Sequence, residues 1–124
     1  MPNILIVEDD PSINGLIAEY LRQKGAVCTQ AFSGTEGRLC FGAGGFDLVL
    51  MDLMLPGLSG EEVLPRIEGI PVIIMSAKAE VEDKVSLLLS GAADYITKPF
   101  SPSILITRVK SLLKRAGLLM DNEL

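Results

Sequence analysis

Apolar residues along this chain follow two rhythms: short unbroken runs, and longer stretches in which they recur every three or four positions. Ile4-Leu5-Ile6-Val7 is a continuous β-branched run that stops at Glu8-Asp9-Asp10, as a strand buried on both faces would. Asp10-Pro11 then reads as a helix N-cap followed by proline at the first helical position. Ile13, Leu16, Ile17, Tyr20 and Leu21 follow as one apolar stripe of helical spacing, and Gly25 ends it. Val27 to Ala31 predicts a weaker strand. A second helix starts at Ser33 or Thr35 and ends in the Gly42-Ala43-Gly44-Gly45 loop. Asp47-Leu48-Val49-Leu50-Met51 is the next buried strand and ends at Asp52. Ser59-Gly60-Glu61-Glu62 opens a short third helix, with serine and glutamate spaced as a capping box requires. Pro71-Val72-Ile73-Ile74-Met75 predicts a fourth strand ending at Ser76, and Glu80 to Ser90 a helix closed by Gly91. Asp94-Tyr95-Ile96-Thr97 is a short fifth strand, and Ser101-Pro102 starts a last helix running to Arg115. Five strands alternating with five helices predict an α/β fold of βα repeats, a parallel sheet covered on both faces.

Composition sets the outer bounds. A length of 124 residues fits one domain, and 48% hydrophobic against 22% charged residues is enough to build a sizeable core. Only 118–124 reads as a tail or the start of a linker. Eleven Lys plus Arg against sixteen Asp plus Glu leaves −5, which argues against this chain gripping nucleic-acid phosphates by itself. The chain has no histidine, so Ser-His-Asp hydrolysis, Cys-His proteolysis and His-bearing zinc sites are excluded. Cys28 and Cys40 have no metal-binding spacing and read as small apolar core residues in a reducing cytoplasm. The N-terminal run lacks the basic region of a signal peptide, and no apolar stretch approaches the roughly 18–20 residues of a membrane span. A cytoplasmic chain without a membrane partner is expected.

In an open parallel sheet, ligands bind beyond the carboxyl ends of the strands. Glu8, Asp9 and Asp10 follow the first strand, Asp52 the third, Ser76 the fourth and Lys98 the fifth. Asp10 is better read as the helix cap. Two carboxylates about 4 Å apart repel by roughly 4 kcal/mol at an effective dielectric of about 20, so such a cluster stays ionised only with a cation among it. An all-oxygen donor set suits Mg²⁺ or Mn²⁺, which keep waters and accept a phosphate oxygen. A carboxylate beside that ion can attack phosphorus, with Lys98 neutralising charge and Ser76 donating a hydrogen bond. The set reads as a phosphoryl-acceptor site.

Four ordered motifs then carry a family resemblance: Ile4-Leu5-Ile6-Val7-Glu8-Asp9-Asp10, Leu50-Met51-Asp52-Leu53-Met54-Leu55-Pro56-Gly57, Met75-Ser76-Ala77, and Gly91-Ala92-Ala93-Asp94-Tyr95-Ile96-Thr97-Lys98-Pro99-Phe100. Over residues 3 to 116 the chain resembles the receiver domain of bacterial two-component response regulators. The Lys98-Pro99-Phe100-Ser101-Pro102 ending, with Arg108-Val109-Lys110 and Lys114-Arg115, resembles the OmpR/PhoB subfamily of transcription regulators. The resemblance implies a flavodoxin-like, doubly wound sheet of strand order 2-1-3-4-5, with residues 1–117 as the receiver domain. It implies that Asp52 accepts a phosphoryl group from a sensor histidine kinase, in a domain that catalyses its own phosphorylation and dephosphorylation. Asp9, Glu8 (through water), the Asp52 carboxylate and the Met54 backbone carbonyl would hold Mg²⁺. Ser76 and Lys98 would bind the phosphoryl group, Tyr95 would follow Ser76 inward as the second half of a switch, and Lys98-Pro99 would be cis.

Rival readings fail on particular residues. A haloacid-dehalogenase-type phosphatase needs a second Asp two positions after the first, where Met54 stands. A dinucleotide fold would use Gly42-Ala43-Gly44-Gly45, but those glycines precede a strand instead of following one. The remaining alternative is a receiver-like module that binds partners without being phosphorylated. The resemblance places the output surface on the fourth helix, fifth strand and fifth helix, through which the subfamily dimerises when phosphorylated, with any DNA contact made by a further C-terminal domain. Asp94 and Arg108 keep one charge pair there, whereas the acids expected opposite Lys84 and Lys110 are replaced by Ile104 and Ala93. Val81, Val85 and Leu88 read as the core stripe of the fourth helix, with Leu87 projecting away and Leu89 at the edge. Leu87, Leu89, Ala93 and Ile104 therefore predict a more apolar, less salt-sensitive dimer face.

Overall fold

The computed structural model describes residues 1–77 and 81–118 of the chain. Strands and helices alternate as the two rhythms predict: β1 (Asn3–Val7), α1 (Pro11–Gln23), β2 (Val27–Ala31), α2 (Gly34–Gly42), β3 (Leu48–Asp52), α3 (Gly60–Val63) continued by a 3₁₀ turn (Leu64–Arg66), β4 (Val72–Ser76), α4 (Val81–Leu89), β5 (Asp94–Thr97) and α5 (Pro102–Arg115). The strands form one parallel sheet in the order β2-β1-β3-β4-β5. Predicted and observed strand ends differ by a single residue at β1, β3 and β4. The predicted first residue of the fourth helix, Glu80, lies outside the described residues.

Alternation along the strands feeds two cores. Ile4, Ile6, Leu48, Leu50, Ile73 and Met75 pack toward Ile17 and Leu21 of α1 and Leu105 and Val109 of α5. Leu5, Val7, Val49, Met51, Val72 and Ile74 point to the other face, where Val63, Leu64, Leu87 and Tyr95 cover them. Burying each such side chain stabilises the fold by about 1.5–3 kcal/mol. The caps follow the sequence: Asp10 accepts from the amides of Ser12 and Ile13, Ser33 from Glu36, and Ser101 from Ile104. Ser59 and Glu62 form the complete capping box. Both cysteines are free thiols, and burial pushes that of Cys28 up to about 11.

Register is what turns this sheet into a platform. Val7 pairs with Met51, Asp52 with Met75 and Ser76 with Thr97. Neighbouring strands thus end in step, and the residues at and after those ends emerge along one edge.

Three expectations need correction. On α1 the buried line is Asn14, Ile17, Ala18 and Leu21, while Leu16 is 44% exposed. Ile13 and Tyr20 sit only partly buried at the rim, since the line through Asn14, Ile17, Ala18 and Leu21 is the one that faces the sheet. On α4 the predicted roles are reversed: Leu87 is 6% exposed and packs in the core, whereas Val85 and Leu88 are exposed. Several leucines and valines compete for that face, and periodicity cannot choose among them. The turn at Gly91 (φ +114°) and the bond from the Ala92 amide to the Leu87 carbonyl (3.1 Å) decide the rotation by placing Leu87 over β5. Leu87 is therefore no part of an exposed face, and the side chain of Val81 lies outside what is described. Leu118, read as the first tail residue, packs against the core with its amide bonded to the Leu113 carbonyl at 2.9 Å.

Candidate functional site

Where β1 ends, Glu8 is 1% exposed despite its charge. The turn that carries it is held by Asn14, a fully buried amide on α1. Its Nδ2 donates to the carbonyls of Glu8 (3.0 Å) and Ala31 (2.9 Å), and its Oδ1 accepts from Gln30 Nε2 (3.0 Å). The amide of Asp10 donates to Glu8 Oε2 at 3.2 Å. The sequence reading missed Asn14. The available signal was a polar residue sitting between Ile13 and Ile17, on what proves to be the buried face of an amphipathic helix.

Asp52 is the last residue of β3 and is buried, with the next amide, Leu53, donating to the Met75 carbonyl at 2.9 Å. Glu8, Asp9 and Asp52 each bring a carboxylate oxygen within 4.8 Å of the others. Lys98 arrives from the far side of β4, its amide bonded to the Ser76 carbonyl at 2.7 Å, and its peptide to Pro99 is cis as expected. Its ammonium donates to Glu8 Oε1 and lies 3.3 Å from Asp52 Oδ2. Burial raises the pKa of Glu8 above the ordinary glutamate value, and the charge of Asp52 adds to this, against the opposing pull of Lys98. For Lys98, burial pulls downward, but Glu8 and Asp52 together outweigh it and raise the ammonium above its usual value.

Three carboxylates and one ammonium leave two negative charges at this edge. Donors that are all hard oxygens, with that net charge and with Asp9 on the exposed side, fit a small divalent cation. A cleft of about 460 Å³ opens beside them, lined by Asp9, Leu53, Met54, Leu55, Pro56, Ser59 and Glu61. Ser76 is buried at the end of β4. Glu8, Asp9, Asp52, Met54, Ser76 and Lys98 therefore occupy one edge of the sheet, as the strand-end argument requires.

The residues expected at the output surface divide. Tyr95 is buried, with Lys84 Nζ 5.8 Å from its ring centroid. Asp94 and Arg108 form the expected pair, Nη1 to Oδ1 at 2.6 Å, and the same guanidinium reaches the Tyr95 carbonyl at 3.3 Å. Leu89, Ala93 and Ile104 are exposed; Leu87 is not.

Residues 4–110 match the family described as the response regulator receiver domain. The chain belongs to that family. Among relatives of this receiver domain, the uncharacterized transcriptional regulatory protein YkoG of Bacillus subtilis is 43% identical over 119 residues, covering 93% of this chain and 52% of that protein. The phosphate regulon transcriptional regulatory protein PhoB of Pseudomonas aeruginosa is 41% identical over 120 residues, covering 92% and 52%. Among solved structures, the receiver domain of the Francisella response regulator 1452 superposes with a TM-score of 0.90 at 37% identity, covering 94% of this chain and 99% of that one. The receiver domain described here spans about half the length of the curated relatives it matches. Among the described residues, no helix is long and apolar enough to cross a membrane.

Proposed function

We propose that this receiver domain accepts a phosphoryl group on Asp52 from the phosphohistidine of a sensor histidine kinase, and that the modified chain changes its association to control transcription. The observation that carries this reading is the convergence of Glu8, Asp9 and Asp52 with the Lys98 ammonium at one buried edge. An Asp52 carboxylate oxygen attacks phosphorus; the P–O bond forms as the P–N bond breaks, and the bonding pair leaves with the imidazole. Glu8, Asp9, Asp52 and the Met54 carbonyl are the groups to hold Mg²⁺, with Mn²⁺ as substitute, and the bound ion supplies charge neutralisation at the phosphoryl oxygens. Lys98, already beside Asp52, takes one equatorial oxygen, and the Ser76 hydroxyl donates to another. Two positions past Asp52 stands Met54, which can neither give nor take a proton, so the acyl phosphate outlives a turnover intermediate.

The phosphoryl group adds up to about two negative charges and three acceptors. Ser76 and Tyr95 form the switch that relays this to α4, β5 and α5. The dimer face proposed there consists of Leu89, Ala93, Asp94, Ile104 and Arg108, joined by exposed Val85 and Leu88. Any DNA contact would fall to a further domain, and a sensor-kinase partner implies a cytoplasmic location.

Intact mass after incubation with acetyl phosphate and Mg²⁺ tests the chemistry. One phosphoryl adduct is expected, absent from Asp52→Ala and absent with EDTA. A folded protein that gains no adduct and binds no beryllofluoride would be a partner-binding module instead, and the proposal would fall.

A further inference from the structure

The first turn of α2 lies closer to the loop between β3 and α3 than any side chain permits. A Cβ built on Gly34 would stand 1.6 Å from the carbonyl oxygen of Leu58 and 2.6 Å from its carbonyl carbon. Both partners are main chain, so no change of rotamer relieves the overlap. The Gly34 amide donates to the Pro56 carbonyl at 3.1 Å, which ties the two segments at that approach. On the loop side, Gly57 has φ +77°, and a Cβ there would come within 2.7 Å of Thr35 Oγ1. Where the loop returns, a Cβ at Gly60 would lie 2.7 Å from the Asp52 carbonyl oxygen, and the Gly60 amide bonds the Leu53 carbonyl at 3.0 Å. Residues 53–59 are thus held by backbone contact from α2 on one side and from the end of β3 on the other. That loop supplies the cleft wall on which Met54 sits, together with Asp9.

We infer that Gly34 and Gly57 are positioning residues for the cation site: the fit of α2 against residues 56–58 sets where the 53–56 backbone stands relative to Asp52 and Asp9, and so sets divalent-cation affinity. The inference rests on the site reading proposed above. No α2 residue lines the cleft, so the effect passes through the loop.

Two other glycines of the same helix separate this role from packing. A Cβ at Gly37 would press on the Val7 side chain (2.8 Å to both Cγ atoms), and one at Gly42 meets nothing within 4 Å. Gly34→Ala, Gly37→Ala and Gly42→Ala are to be compared with the parent by amide NMR spectra and by Mn²⁺ titration followed by EPR, under conditions where circular dichroism shows each folded. Gly34→Ala should displace the amide signals of residues 53–59 and weaken Mn²⁺ binding by about 10-fold or more, while the two controls leave the affinity within about twofold. Should Gly34→Ala not fold, Gly57→Ala takes its place, with Thr35→Ala as a second change that removes the hydroxyl clash and recovers part of the affinity. Parent binding with Gly34→Ala, or Gly57→Ala in its place, no weaker than Gly37→Ala would overturn the inference alone. A folded parent that binds no Mn²⁺ would overturn the site reading and the inference with it.

Discussion

Glu8 shows how a single residue trades stability for chemistry. Its folded pKa lies above the ordinary value of 4.5, chiefly because burial penalises the charged form. Its contribution to stability is therefore complete below that value and is lost as pH rises through the raised folded pKa. Glu8→Gln has no charge to penalise. In thermal melts with EDTA, the two proteins should match at acid pH, and the variant should melt higher at neutral pH. A parent that gains on the variant as pH rises would contradict the argument. The same burial that costs stability presents a carboxylate to a cation, and protons should compete with Mn²⁺ for the site as pH falls. That Glu8, Asp52, Ser76 and Lys98 stand at strand ends was legible in the sequence, because a chain leaving a parallel sheet must turn there and the strands themselves were readable. Asn14 was not legible in the same way: its value lies in two carbonyls and a Gln30 amide that only folding brings to it.

At the scale of elements, the clearest lesson is α4. The strands were readable because a run buried on both faces needs no choice of face; β3 and β4 are buried at every position. A helix has to choose, and α4 offers Val85, Leu87, Leu88 and Leu89 for one buried line. The choice was made by tertiary contacts at Ala92 and β5, which local spacing does not contain. Leu87→Ala should cost about 2–5 kcal/mol in urea unfolding, the range for truncating a core leucine. Leu89→Ser, at a position 84% exposed, should change stability by no more than about 0.5 kcal/mol. Equal losses from the two would mean that α4 is rotated from the orientation described.

Over the whole molecule, the alternation of elements specified a parallel α/β sheet, but the strand order came from the family motifs, since alternation alone allows several windings. The charge of −5 is carried by a fold that also exposes Val85, Leu88 and Leu89 on α4 and Ile104 on α5, and that pairs Asp94 with Arg108. If that face joins two copies, apolar burial and not charge holds them, and the association should survive added salt. Sedimentation with beryllofluoride and Mg²⁺ should show a dimer at both low and high salt, and Leu89→Glu should return it to monomer. A strict monomer at high concentration, with and without beryllofluoride, would remove the dimer from the proposal.

The bond between Lys98 and Glu8 joins positions 90 residues apart, from the first strand of the chain to the turn after the last. The groups between them come from the ends of three strands: Asp9 from β1, Asp52 and Met54 from β3, and Ser76 from β4. A chain unfolded at either end therefore lacks one partner of that bond, and the site is complete only when β1 and the turn after β5 are both in place. The charge balance around Asp52 thus depends on both ends of the sheet being folded together, because the Lys98 ammonium that offsets it arrives only with the turn after β5.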